Sequence, residues 1–214
     1  MGCFAKGCLT LVVVVFVLVA GIIGGAWFLY GKAINLFTST QPVNVPVEQP
    51  TDAQFQAAEA KLARLHQAIA NNQEIAIDFT AADINALIAR DPGFAGMRGR
   101  VHVAIADSIV TLQLSAPLTH LPLPKLKERW FNGTARFEFT YHLGQFLIGA
   151  KSAEANSRAF PEQFFASFNA SFNRSLNQRF QQDLQKNQQE ATFWKRIKAM
   201  DVNGDRLVIQ TERN

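Results

Sequence analysis

Charged residues are scarce in this chain, at 18% Asp, Glu, Lys and Arg, and cysteine is scarcer, with two among 214 residues. Both cysteines, Cys3 and Cys8, precede residue 9. No disulfide can therefore form within the rest, which fits a reducing or an oxidising compartment equally. Net charge is only +4, and Lys6 and Lys32, flanking an apolar run, supply two of those charges. That balance excludes nucleic acid as a partner, because a phosphate backbone demands a strongly basic face. No G-x-S-x-G, H-E-x-x-H or C-x-x-C occurs, and the four histidines, His66, His102, His120 and His142, lack metal-ligand spacing. No metal, cofactor or enzymatic activity is expected. His102 and His142 fall on polar faces of strands and are read as a solvated pair.

Several patterns are near misses. Gly144 to Ser152 approaches the phosphate-binding G-x-x-x-x-G-K-[ST], but Ala150 separates Gly149 from Lys151, and Phe146, Leu147 and Ile148 read as strand. Asp201, Asn203, Asp205 and Glu212 fit a calcium-loop register, yet Arg206 stands where the sharp turn needs glycine. A hairpin with a type I′ turn at Asn203-Gly204 is expected instead. Asn132, Asn169 and Asn173 open glycosylation sequons, which read as accidental. The basic groups Lys125, Lys127, Arg129 and Lys195, Arg196, Lys198 read as solvated surface.

What the chain does have is a run of 22 uncharged residues from Leu9 to Tyr30, with Trp27 and Tyr30 at its end. A helix of that length, roughly 33 Å, spans a bilayer core. Residues 1–30 are therefore expected to form a single-pass transmembrane anchor, placing the protein at the cell membrane. The competing reading is a cleaved signal peptide, since Gly24-Gly25-Ala26 offers small residues at a cleavage site. Gly21 and Gly25 form a G-x-x-x-G, read as incidental. Residues 31–50 form a linker, whose stretch TQPVNVPVEQP holds three prolines.

Residues 51–214 are expected to form one α+β domain. Thr51 with Gln54 makes a capping box ahead of Phe55, Ala58, Leu62, Leu65 and Ile69, an apolar stripe at helical spacing. Ile75, Ile77 and Phe79 alternate as a strand, and Thr80 with Asp83 caps a short helix that Asp91-Pro92-Gly93 breaks. Alternating strands follow around Val103, Leu112, Phe137 to Tyr141 and Phe146, for about seven strands in all.

A long helix is expected after Pro161. Phe160, Phe164, Phe168, Phe172, Leu176, Phe180 and Leu184 are each four apart, and Asn169, Asn173, Asn177, Gln181 and Gln185 follow the last five. A four-residue step overshoots a helical turn by about 40°, so the stripe rotates around the helix. A curved antiparallel sheet gripping the helix is expected to satisfy that rotation; one end meeting an apolar ligand or another helix would satisfy it too, and a packed core helix is the plainer reading of the stripe.

The order of elements over roughly residues 78–211 resembles that of small membrane-anchored bacterial envelope proteins, the YpmS-like and LmeA-like groups. FTAADINALIARDP (Phe79 to Pro92), WFNGTARFEF, the Phe-rich helix and the terminal hairpin carry the likeness. The resemblance implies an extracytoplasmic domain and, for some members, lipid binding. The expected function is accordingly non-enzymatic: binding a lipid or other apolar ligand between Phe164, Phe168, Phe172 and Leu176 of the helix and Phe137, Phe139 and Tyr141 of the sheet. The alternative is a protein–protein interaction module without a small-molecule ligand, docking a partner on its sheet edge or helix.

Overall fold

Reciprocal caps fix the first two helices. Thr51 and Gln54 open α1 (Asp52–Ala70), and Thr80 and Asp83 open α2 (Ala81–Arg90), each pair exchanging side-chain and backbone hydrogen bonds. The computed structural model describes residues 36–119 and 126–213. Between the helices runs β1 (Ala76–Thr80), and a 3₁₀ turn (Pro92–Met97) leads into β2 (Val101–Ala106) and β3 (Ile109–Pro117). Then come β4 (Trp130–His142), β5 (Gln145–Ala155), the short β6 (Arg158–Ala159), the long α3 (Glu162–Lys186), α4 (Gln188–Trp194), β7 (Ile197–Asn203) and β8 (Arg206–Thr211).

All paired strands are antiparallel, and β4 organises them. One of its edges carries β5 from Gly133 to His142; the other is shared, with β3 along Trp130–Phe137 and β7 at Thr140–His142. β2 lies outside β3, while β8 and then β1 lie outside β7. Two hairpin tips meet where the sheet divides: the Ser108 N–H donates to the Gly204 carbonyl at 2.8 Å, and the Gly204 N–H to Ser108 Oγ at 3.0 Å.

The sheet has eight strands rather than about seven, and it does not curl around the long helix. α3 instead lies along the β5 edge. Phe146, Ile148 and Ala150 direct their N–H and C=O groups away from β4, because alternate residues of an antiparallel strand face opposite partners. Asn177, Asn173 and Asn169 take up those groups in turn. Each amide oxygen accepts the strand N–H at 2.7, 2.8 and 3.0 Å, and each amide nitrogen donates to the carbonyl of the same residue at 2.8, 2.8 and 3.2 Å. The remaining amide hydrogens of Asn173 and Asn177 bond back to the Asn169 and Asn173 carbonyls.

The tetrad spacing now has a physical reason. Four helical residues rise ~6.0 Å and two strand residues ~6.7 Å, so every fourth helical side chain meets every second strand peptide. The small mismatch accumulates, and the fourth rung, at the Gly144 carbonyl, is made by the longer Gln181 at 2.9 Å. At the other end a bulge at Lys151 ends the straight run. β2 is closed likewise: Asn85 of α2 donates to the Val103 carbonyl at 2.7 Å and accepts its N–H at 2.9 Å.

One side of the sheet faces the core, where Phe137, Phe139, Tyr141, Phe146, Ile148, Met200 and Ile209 pack with the helices. The hairpin near the C-terminus forms, but its turn is Gly204-Asp205 with positive φ at Gly204 alone, the type II′ pattern instead of type I′ at Asn203-Gly204. Residues 39–43, inside the expected linker, lie against the sheet. Ser39 bridges Trp130, the Val43 N–H donates to Ser115 and Asn132, and Asn132 donates to the Gln41 carbonyl.

The transmembrane span expected at Leu9–Tyr30 lies outside the described residues. Among the described residues no helix is long and apolar enough to cross a membrane. No described helix supports the membrane anchor, the single-pass topology, the membrane as partner or the cell-membrane location, and these expectations are corrected to that extent.

Candidate functional site

The seven residues expected to hold an apolar ligand do come together, but as core. Phe168, Phe172, Leu176, Phe137, Phe139 and Tyr141 are buried and Phe164 partly so. Phe164, Phe168 and Phe172 stack in sequence with ring centroids 5.3 and 5.1 Å apart. Beyond them Tyr141, Phe146, Phe180 and Trp194 form an aromatic cluster with centroids 4.8–6.1 Å apart. Burial pushes the Tyr141 hydroxyl up to about 12, with Glu212 adding to the shift. The rings fill their own space, so binding of a lipid or other apolar ligand there is corrected.

An open depression of about 560 Å³ lies on the other side of β5. It is lined by Thr140, His142, Gln145, Phe146, Leu147, Asn173, Arg174 and Asn177, and includes none of the seven. Register builds it. Thr140 faces Leu147 and His142 faces Gln145, so all four project from the side of the sheet opposite Tyr141. Leu147 is 64% exposed. The two-residue turn beside them, Leu143-Gly144, has φ of +50° and +77°. That is the type I′ geometry which suits Asn-Gly and burdens a leucine, whose Cβ crowds the neighbouring carbonyl. Leu143 is nevertheless 85% exposed, so it gains nothing from burial in return.

The remaining sequence candidates are dispersed. His102 and His142 share the outer side of the sheet, but His102 is level with Thr134 through Gln113. Eight residues of β4 then separate the two histidines, roughly 27 Å, so they are not neighbours. Asp201 and Asp205 sit at one end of the β7–β8 hairpin and Glu212 beyond the other, so no calcium loop closes. Among the described residues no group of three or more His, Cys, Asp or Glu could hold a metal ion. The amide nitrogens of the sequon residues Asn132, Asn169 and Asn173 all donate to backbone carbonyls, of Gln41, Ala150 and Ile148 respectively, and so are engaged within the fold. Burial holds the His66 imidazole below its ordinary range.

Two features of this region escape sequence reading. The Asn/Gln repeat is visible, but only the position of β5 reveals that it caps a strand. Leu143 gives no signal until the backbone shows which residues occupy the turn. Comparison with known proteins adds no further constraint: no family model, curated protein or solved structure matches the chain. The resemblance to the YpmS-like and LmeA-like envelope proteins is corrected accordingly, and the extracytoplasmic setting and lipid binding it implied fall with it.

Proposed function

We propose that this domain is a non-enzymatic interaction module that docks a partner protein through the tip of the β4–β5 hairpin and the adjoining open side of the sheet, without a small-molecule ligand. The observation that carries this reading is Leu143, a bulky side chain in left-handed backbone geometry and 85% exposed. Fold stability favours glycine or asparagine there, and local rules of this kind are broken chiefly at functional sites. Leu147, 64% exposed on the same hairpin, extends the apolar contact. The β5 edge is not the docking element, because α3 already occupies its hydrogen-bonding groups.

A photo-crosslinking side chain placed at Leu143 in the full-length protein tests the reading. A discrete adduct is expected there and not from the same group at Ala166, on the exposed side of α3. Leu147→Asp should abolish the adduct, since it places an unpaired charge in the contact. Equal adducts at both positions, or an adduct indifferent to Leu147→Asp, would overturn it.

A further inference from the structure

The depression beside Leu147 has an uneven supply of hydrogen-bonding groups. Asn173 and Asn177, which line it, have their amides occupied by β5 and by the helix backbone. What is left is the Thr140 hydroxyl, the His142 ring, the Gln145 amide and the Arg174 guanidinium. Arg174 is exposed on α3 and, among the described residues, makes no ion pair. Of the carboxylates on this side of the sheet, Glu138 is held by Lys151 at 2.8 Å and Asp201 stands across from Thr140 on β7, and neither pairs with Arg174.

Resting on the docking role of the hairpin, we infer that the partner seats an acidic segment here, one carboxylate against Arg174 and an adjacent apolar side chain against Leu147 and Leu143. A guanidinium offers a planar fork that matches a carboxylate, and a volume of about 560 Å³ is within the range of ligand-holding clefts. A phosphorylated segment fits less well, because phosphate recognition gathers several arginines and this depression has one.

The test uses the full chain and short synthetic peptides that alternate leucine with glutamate, glutamine or phosphoserine. Binding is followed by calorimetry and by the methyl resonances of Leu143 and Leu147. The glutamate peptide is expected to move both methyls and to bind roughly tenfold tighter than the glutamine peptide, with a preference that salt weakens. Arg174→Gln should erase the preference while leaving the melting temperature unchanged. Equal affinity for glutamate and glutamine peptides, with both methyls still moving, would overturn the acidic partner and leave the docking surface standing. So would a preference that survives Arg174→Gln, or tighter binding of the phosphoserine peptide. If no peptide moves the methyls, the inference and the hairpin surface fail together.

Discussion

The edge of β2 and the edge of β5 are both closed by asparagines from a neighbouring helix, but to different depths. At β2 one residue, Asn85, 4% exposed, brackets one peptide unit, Val103. At β5 three part-buried asparagines bracket three alternate peptides, and Gln181 adds a fourth, exposed contact. A side-chain amide carries the same donor and acceptor as a peptide, so a helix can complete a sheet without supplying a strand. The difference teaches where failure concentrates. A lone buried amide leaves its partners with no substitute, whereas water can reach a rung of the part-buried ladder.

The largest effect should therefore come from the single site. Asn85→Ala strands the Val103 N–H and C=O in the core, and at about 1–3 kcal/mol for each unsatisfied buried group the loss should reach roughly 2–6 kcal/mol in urea unfolding. A loss below about 1 kcal/mol would mean that water enters at β2 and that the two edges do not differ. Asn173→Ala should cost less, about 1–2 kcal/mol, because part of its site is hydrated. Replacing Asn169, Asn173 and Asn177 together should do something else. With the β5 edge unpaired from Phe146 to Ala150, copies should associate edge to edge, which sedimentation over a concentration series would detect. A monomeric triple variant with little loss of stability would show that the stacked phenylalanines alone position α3.

These two edges also mark how much of the molecule was readable beforehand. The helix at Thr51, the capped helix at Thr80, the alternation through Phe137, Phe139 and Tyr141 and the long helix after Pro161 rest on local caps and periodicities, and each has its element. The tetrad repeat was equally visible, but a rotating stripe suits a curved sheet as well as a strand edge. Only long-range pairing decides between them. Asn85 sits among Ile84, Ala86, Leu87 and Ile88, and an amide on an apolar helix face was the available sign of a buried partner. The extra strand escaped because β6 has two residues and no pattern of its own. The Phe stripe looked like a ligand wall because burial by neighbouring rings and burial by a ligand leave the same sequence pattern.

Acid should separate the edges further. Burial alone would raise the Asp83 carboxyl, but hydrogen bonds from Lys61 at 2.7 Å and from the Thr80 N–H and hydroxyl at 2.8 and 2.9 Å outweigh it and hold it below the usual range. The stabilisation from this depressed group is present above the unfolded carboxyl value, near 4, and is lost as pH falls through the lower folded value. Asp83 anchors the start of α2, which carries Asn85. The first turn of α3 has Glu162 after an N-cap, Pro161, that makes no side-chain hydrogen bond. The protection of the Val103 amide, relative to its intrinsic exchange rate at each pH, should therefore fall, as pH drops below about 4, before that of Ile148 does. Simultaneous loss of protection would mean that the edges open as one unit. Asp83→Asn should remove most of the difference.

The smallest effect lies where the ladder ends. Gln181 holds the Gly144 carbonyl, and the adjoining turn residue, Leu143, is in left-handed geometry and exposed. Leu143→Gly removes the clash of the Cβ with the backbone but also loosens the unfolded chain, and the two contributions oppose each other. Left-handed geometry costs a non-glycine residue roughly 1–2 kcal/mol, and glycine's added unfolded-state freedom returns about half of that, so a net gain on the order of 1 kcal/mol is expected. Leu143→Asn, which keeps a side chain that tolerates this geometry, should also stabilise. Both variants should lose the crosslinking and peptide contacts assigned to the hairpin tip, so stability would rise as docking falls. A destabilising Leu143→Gly would instead mean that the leucine packs against the fold, and the argument for a docking residue at that position would lose its footing.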